Sequence, residues 1–195
     1  MKFFKQYVES FLELSDEEWQ YISSLYAPKY FKKGEIIFFA GNVCTKSYYL
    51  SDGQVRSYGI DSQGKEFTWS VHINDKNNKF SPFLGDLLSL LTQQESDIFF
   101  EALNDCTVYI AEYSKIEELY TSDIKWMQLA KEVAESHFVY FTQYNRMLKR
   151  LDAKERYLAI KSSFPIFEEI LPDYQLASLL DITPQSLSRI KKLLS

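Results

Sequence analysis

Seven polar side chains cluster near the end of the sequence: Thr183, Gln185, Ser186, Ser188, Arg189, Lys191 and Lys192. They are interleaved with Ile182, Leu187, Ile190 and Leu194, which recur at helical spacing and are expected to face inward. Short Ser and Gln side chains near a helix start can reach base edges in a DNA groove. An arginine matches guanine with two parallel hydrogen bonds, and lysines neutralise phosphates. A plain helical hairpin with one solvated face has the same spacing, so the pattern alone leaves both readings open.

Positioning such a row requires a helix and a support. Asp181-Ile-Thr183 reads as a tight turn, with Thr183 as helix cap and Pro184 at the first helical position of a helix to Leu194. Before it, Tyr174–Leu180 reads as a short helix with Leu176, Ala177 and Leu180 inward, and Ala153–Ile160 as another, stopped near Ser162–Pro165. Two short helices around such a turn meet the requirements of a helix-turn-helix. Further upstream, Asp123–Leu151 contains no Gly or Pro and predicts one helix of roughly 43 Å at 1.5 Å per residue. Its apolar stripe includes Met127, Ala130, Val133, Ala134, His137, Phe138, Phe141, Tyr144 and Leu148. A parallel seam with a second copy is the expected use of that stripe, and cover for the chain's own sheet is the alternative.

The first half has a different period. Phe3, Phe4, Tyr7, Val8, Phe11 and Leu12 predict a helix, and Ser15-Asp-Glu-Glu18 is a capping box opening a second. From Tyr30 short strands alternate with turns. Ile36–Phe39, Tyr48–Leu50, Val55–Tyr58, Phe67–Val71, Ile98–Leu103 and Thr107–Ile110 read as strands. Gly53 and Gly64 mark turns, Asn74–Lys79 reads as a loop, and a short helix is expected after Gly85. The expected fold class is α+β: an antiparallel β-roll, a long dimerisation helix and an all-α head.

Other chemistry finds little support. No Ser/His/Asp order, zinc spacing or phosphate-loop glycine pattern occurs, so an enzyme is not expected. Cys44 and Cys106 are far apart, which fits two reduced buried thiols, and His72 and His137 read as structural; no metal or cofactor is expected. There is neither a signal-peptide pattern nor an apolar run of membrane-spanning length, so a cytoplasmic protein without a membrane partner is expected. The net charge is −5, and it is uneven: residues 1–149 carry −6 and residues 150–195 carry +1, the direction that suits a DNA-reading C-terminal module.

These segments resemble a known family. Asp173–Leu194 is similar to the helix-turn-helix of the Crp/Fnr superfamily of bacterial regulators. Within it, Leu176-Ala-Ser-Leu-Leu-Asp-Ile-Thr-Pro-Gln-Ser-Leu-Ser-Arg-Ile-Lys192 is close to the form common in short Bacteroidetes members. Arg156-Tyr-Leu and Phe164-Pro resemble the stretch just upstream. Phe31-Lys-Lys-Gly-Glu-Ile-Ile-Phe38, Tyr48-Tyr-Leu-Ser-Asp-Gly-Gln-Val-Arg56, Gly85-Asp86 and Glu101-Ala-Leu-Asn-Asp-Cys106 resemble the cyclic-nucleotide-binding-like jelly roll of that superfamily. The resemblance implies a sensor domain over 1–120, a dimerisation helix over 121–151 and a helix-turn-helix over 152–195. It also implies a homodimer on palindromic double-stranded DNA, with a small-molecule effector and RNA polymerase as further partners. Most members continue into a β-hairpin wing, and this sequence stops at Ser195, so a head lacking that wing is expected. A dimeric interaction protein that no longer reads DNA is the alternative.

In nucleotide-binding members the resemblance places a Gly-Glu pair at Gly85-Asp86 and a phosphate-clamping Arg eleven residues beyond the Gly. That position is Ser96, followed by Asp97, and Thr92–Phe100 contains no Arg or Lys. Cyclic AMP or cyclic GMP is therefore not expected to bind. Phe67, Trp69, Phe83, Phe99 and Tyr109 are candidates, with those four residues, for a pocket of other chemistry, against the plainer reading that the rings are core.

Overall fold

The structure of the chain, a computed structural model, describes residues 2–74 and 82–194; the polar run expected as a loop lies, beyond Asn74, outside them, as does the Phe3 side chain. Two helices come first, α1 (Lys2–Glu9) and α2 (Asp16–Leu25). Ser15 caps α2 as the capping box predicted: its hydroxyl accepts from the Glu18 N–H, and the Glu18 carboxylate accepts from the Ser15 N–H. Six strands follow, β1 (Ala27–Phe31), β2 (Ile36–Phe38), β3 (Lys46–Asp52), β4 (Gln54–Ile60), β5 (Glu66–Ile73) and β6 (Phe83–Leu84). After α3 (Leu87–Thr92) come β7 (Ile98–Ala102) and β8 (Cys106–Glu112). β1 starts three residues before the change of pattern at Tyr30, and β6 lies just before the helix expected after Gly85, in a stretch not read as a strand.

The strands form two four-stranded sheets, ordered β1-β8-β3-β6 and β2-β7-β4-β5. In the first sheet Tyr48 stands opposite Ile110 and Leu50 opposite Val108. The motifs quoted above meet across these strands. Gly34 N–H donates to the Ala102 carbonyl, Gln54 N–H donates to the Asn104 side chain, and buried Arg56 pairs with Glu101 at 2.6 Å.

Two compact units emerge: residues 1–57 with 71–137, and residues 58–70 with 138–195. This partition differs from the division into 1–120, 121–151 and 152–195, because the tip of the β4–β5 hairpin and the later half of the long helix go with the head. In the first unit Phe4, Tyr7, Ile22, Tyr26 and Tyr49 form a core with Ile116 and Leu119 of α4 (Tyr113–Ser122) and Trp126 and Leu129 of α5 (Ile124–Arg150). Much of the aromatic excess is spent there: Phe4 meets Trp19, Tyr26, Tyr49 and Phe83, mostly edge to face.

α5 matches the predicted Asp123–Leu151 within a residue at each end. Asp123 stays extended and its carboxylate accepts from the Lys125 N–H, which separates α4 from α5. Its 27 residues span about 40 Å. The head comprises α6 (Ala153–Ser163), α7 (Phe167–Ile170), α8 (Asp173–Leu179) and α9 (Pro184–Leu194). α7, a single turn after Pro165, has no counterpart in the sequence reading. No helix among the described residues is long and apolar enough to cross a membrane.

Candidate nucleic-acid interface and sensor cradle

In the head, Leu176, Ala177, Leu180 and Leu187 are fully buried, with Tyr157, Phe167 and Ile190 beside them. This core sets the angle between α8 and α9. The turn between them places Asp181 in the left-handed region at φ +53°, and the Ile182 N–H reaches back to the Ala177 carbonyl. Arg156 holds the turn from outside: its guanidinium donates to the carbonyls of Leu151 (3.0 Å), Leu180 (3.2 Å) and Asp181 (3.4 Å). Thr183 caps α9 as predicted, its hydroxyl accepting from the Ser186 N–H at 3.2 Å.

With Leu187 and Ile190 turned inward, Gln185, Ser188, Arg189 and Lys192 are exposed along α9, and Ser186 is half-buried beside its cap. Lys191 is placed differently from the others. Its ammonium lies 2.7 Å from Asp173 and 3.9 Å from Glu168, so it ties α9 to α7 and α8. Leu194, expected to face inward, is 40% exposed.

The stripe on α5 divides. Val133 packs on the core of the first unit, and the Tyr144 hydroxyl donates to the Leu179 carbonyl at 2.5 Å within the second. Met127, Ala134 and Phe138 are exposed, Phe138 by 73%, while Ala130, His137, Phe141 and Leu148 are half-buried. Burial holds the His137 imidazole below its ordinary pKa. Ile124 and Val139 add to the open apolar face. A helix interior that leaves a phenylalanine three-quarters in water has an unused apolar surface.

At the sensor cradle Gly85 leads into α3, and the Asp86 carboxylate accepts from the N–H groups of Leu88 (3.0 Å) and Ser89 (3.2 Å). A carboxylate already stands on the amides that would receive an anion. Ser96 is buried and its hydroxyl accepts from the Ile98 N–H, while Asp97 is exposed. The candidate rings have different neighbours. Phe83 and Tyr109 pack on the α1–α2 core, Phe99 meets exposed Phe39, and the Phe67 ring lies over Gly59. Trp69 is half-exposed, its ring 6.4 Å from Phe141 of α5. Burial pushes the Cys106 thiol up to about 11, away from reactive thiolate. His72 Nε2 lies 3.1 Å from the Ser57 hydroxyl. No group of three or more His, Cys, Asp or Glu that could hold a metal occurs among the described residues.

Residues 28–123 match the family described as cyclic nucleotide-binding domain. No curated protein matches the sequence. Among solved structures, FixK2 from Bradyrhizobium japonicum is similar at 17% identity and a TM-score of 0.68, over 87% of this chain and 84% of that one. The c-di-GMP responsive global regulator CLP from Xanthomonas campestris shares 12% identity at a TM-score of 0.68, over 90% and 89%. A Crp/Fnr-family regulator from Eubacterium rectale shares 18% at 0.67, over 93% and 83%. At these identities the likeness is one of fold: a cyclic-nucleotide-binding-like domain followed by a helix-turn-helix.

Proposed function

From the architecture of a Crp/Fnr regulator as premise, we propose that the chain is a homodimeric transcription regulator, not an enzyme, that reads a palindromic operator with α9 of each protomer. The observation that carries this reading is the exposed row Gln185, Ser188, Arg189 and Lys192 above buried Leu187 and Ile190. Such a helix can enter a major groove while its apolar side stays on the head. Arg189 takes a guanine edge, Gln185 and Ser188 contact neighbouring bases, and Lys192 meets phosphate. Thr183 and Ser186, at the capped start of α9, lie beside the backbone path, and Lys191 orients α9 through Asp173. The test is capture of random genomic fragments by the purified protein at one stated salt concentration, wild type against Arg189→Ala. A palindrome recovered by wild type and lost in the variant is expected. Equal enrichment by both would remove Arg189 from base reading.

The dimer forms along the open face of α5, through Met127, Ala134, Phe138 and Leu148. Phe138→Asp is expected to weaken dimerisation at least about tenfold in sedimentation equilibrium, because it buries a carboxylate at the seam. An unchanged dimer would place the interface elsewhere.

The sensor domain does not take a cyclic nucleotide. Asp86 occupies the α3 amides, Ser96 stands where a clamping arginine is required, and Asp97 adds a second negative charge. Millimolar cyclic AMP or cyclic GMP is expected to leave the melting temperature unchanged, whereas a ligand present far above its Kd raises it. A rise of several degrees would overturn this reading. A neutral or apolar effector, and RNA polymerase as the partner on the operator, complete the proposal.

A further inference from the structure

β5 is the last strand of its sheet, so one side of it carries backbone groups with no strand to pair with. At the hairpin tip that side meets the head. The Thr68 N–H donates to the Ser178 hydroxyl of α8 at 2.8 Å, a bond between residues 110 apart in sequence. Next to it, Trp69 lies against Phe141 of α5, their ring centroids 6.4 Å apart. The Tyr144 hydroxyl donates to the Leu179 carbonyl. Hairpin tip, α5 and α8 thus form a closed triangle, with polar ties from the tip to α8 and from α5 to α8 and a ring contact from the tip to α5.

The joint is imperfect in a particular way. Thr68 is buried and its hydroxyl has no partner among the described residues. The same holds for the side-chain oxygen of Gln175, which precedes Ser178 by three residues and therefore shares its face of α8. Buried polar atoms in a permanent core are almost always satisfied. Opening the joint would hydrate the Thr68 oxygen and return part of what docking costs.

We infer that the β4–β5 tip is a releasable latch on the first helix of the helix-turn-helix. Docked, it holds α8, and with it α9, against the hairpin. Undocked, it leaves the head free to change its presentation. β4 and β5 run without a break into the β2-β7-β4-β5 sheet, so a change in that sheet reaches the latch through the backbone. The latch does not require that the head read DNA, so failure of the operator experiment would leave it standing.

Amide hydrogen exchange of the full-length protein tests it, with Thr68 as reporter and Val108 of the buried sheet as reference. A latch opens by a local route, so Thr68 exchanges faster than Val108 in the wild type. Thr68→Val keeps the amide and the β-branched shape but removes the orphaned hydroxyl; residue 68 is expected to exchange at least about threefold more slowly, with Val108 unmoved. Ser178→Ala strands the amide and is expected to speed its exchange at least about tenfold. Exchange of Thr68 and Val108 at one common rate would show a joint that opens only on global unfolding, and would overturn the latch. So would a Thr68→Val variant that exchanges faster than wild type. This arm stands even if Ser178→Ala fails to fold.

Discussion

Gly53→Ala is expected to cost at least about 4 kcal/mol of stability, a large share of the roughly 5–15 kcal/mol that holds a domain folded. Gly53 sits between β3 and β4 at φ +96°, a conformation that L side chains rarely adopt. The added methyl also has nowhere to go. It would lie 2.4 Å from the Cys106 Cβ, 2.8 Å from the Cys106 Cα and 2.9 Å from the Asp105 carbonyl oxygen. Two of these three neighbours are backbone, and Cys106 opens β8, the strand that pairs with both β1 and β3. The clash therefore cannot be relieved by turning a side chain; it has to displace a central strand. Urea unfolding followed by tryptophan fluorescence measures the loss as a lowered midpoint at constant slope. A midpoint within experimental scatter of wild type would mean that the β3–β4 turn can be redrawn.

Arg156→Ala should loosen the head by about 2 kcal/mol while sparing the sheets. The guanidinium serves carbonyls at the end of α5 and the end of α8, which are helix C-termini with no further amide to satisfy them. Its side chain is 17% exposed, so part of the lost bonding is recovered by water, and the figure is set below the sum of three charge-assisted bonds. A lysine restores the charge but not the fork, and is expected to recover only a minor part. The readout is amide exchange at Leu180 and Ile182, which close the turn between α8 and α9. Exchange there is expected to quicken about thirtyfold, with Val108 unchanged. If both sites quickened alike, Arg156 would be holding the whole chain and not the turn.

Some of this was legible in local pattern. A 3.6-residue period, a capping box and a Thr-Pro pair are properties of a few neighbouring residues, and helices form on the same length scale. Hence α2, α5, α8 and α9 fall where the sequence places them, with Ser15 and Thr183 as caps of α2 and α9. The absence of an arginine or lysine from Thr92–Phe100 is likewise a fact of composition, read directly from the sequence. Burial of Leu187 and Ile190, and with it exposure of Gln185, Ser188 and Arg189, follows from the same period.

What the chain does over long separations was decided only by the tertiary structure. That Lys191 pairs with Asp173 depends on the angle at which α9 crosses α8. Val133 and Phe138 share one apolar stripe, yet the first is covered by the chain's own core and the second is left in water, because curvature and packing choose which edge of a broad stripe is used. The resemblance did single out Gly85-Asp86, but only the backbone geometry reveals that the Asp86 carboxylate has taken the amides for itself. The bond from Thr68 to Ser178 is the extreme case. No local signal can announce a contact across 110 residues, since it exists only after a sheet edge and a helix, each formed for its own local reasons, have been brought together.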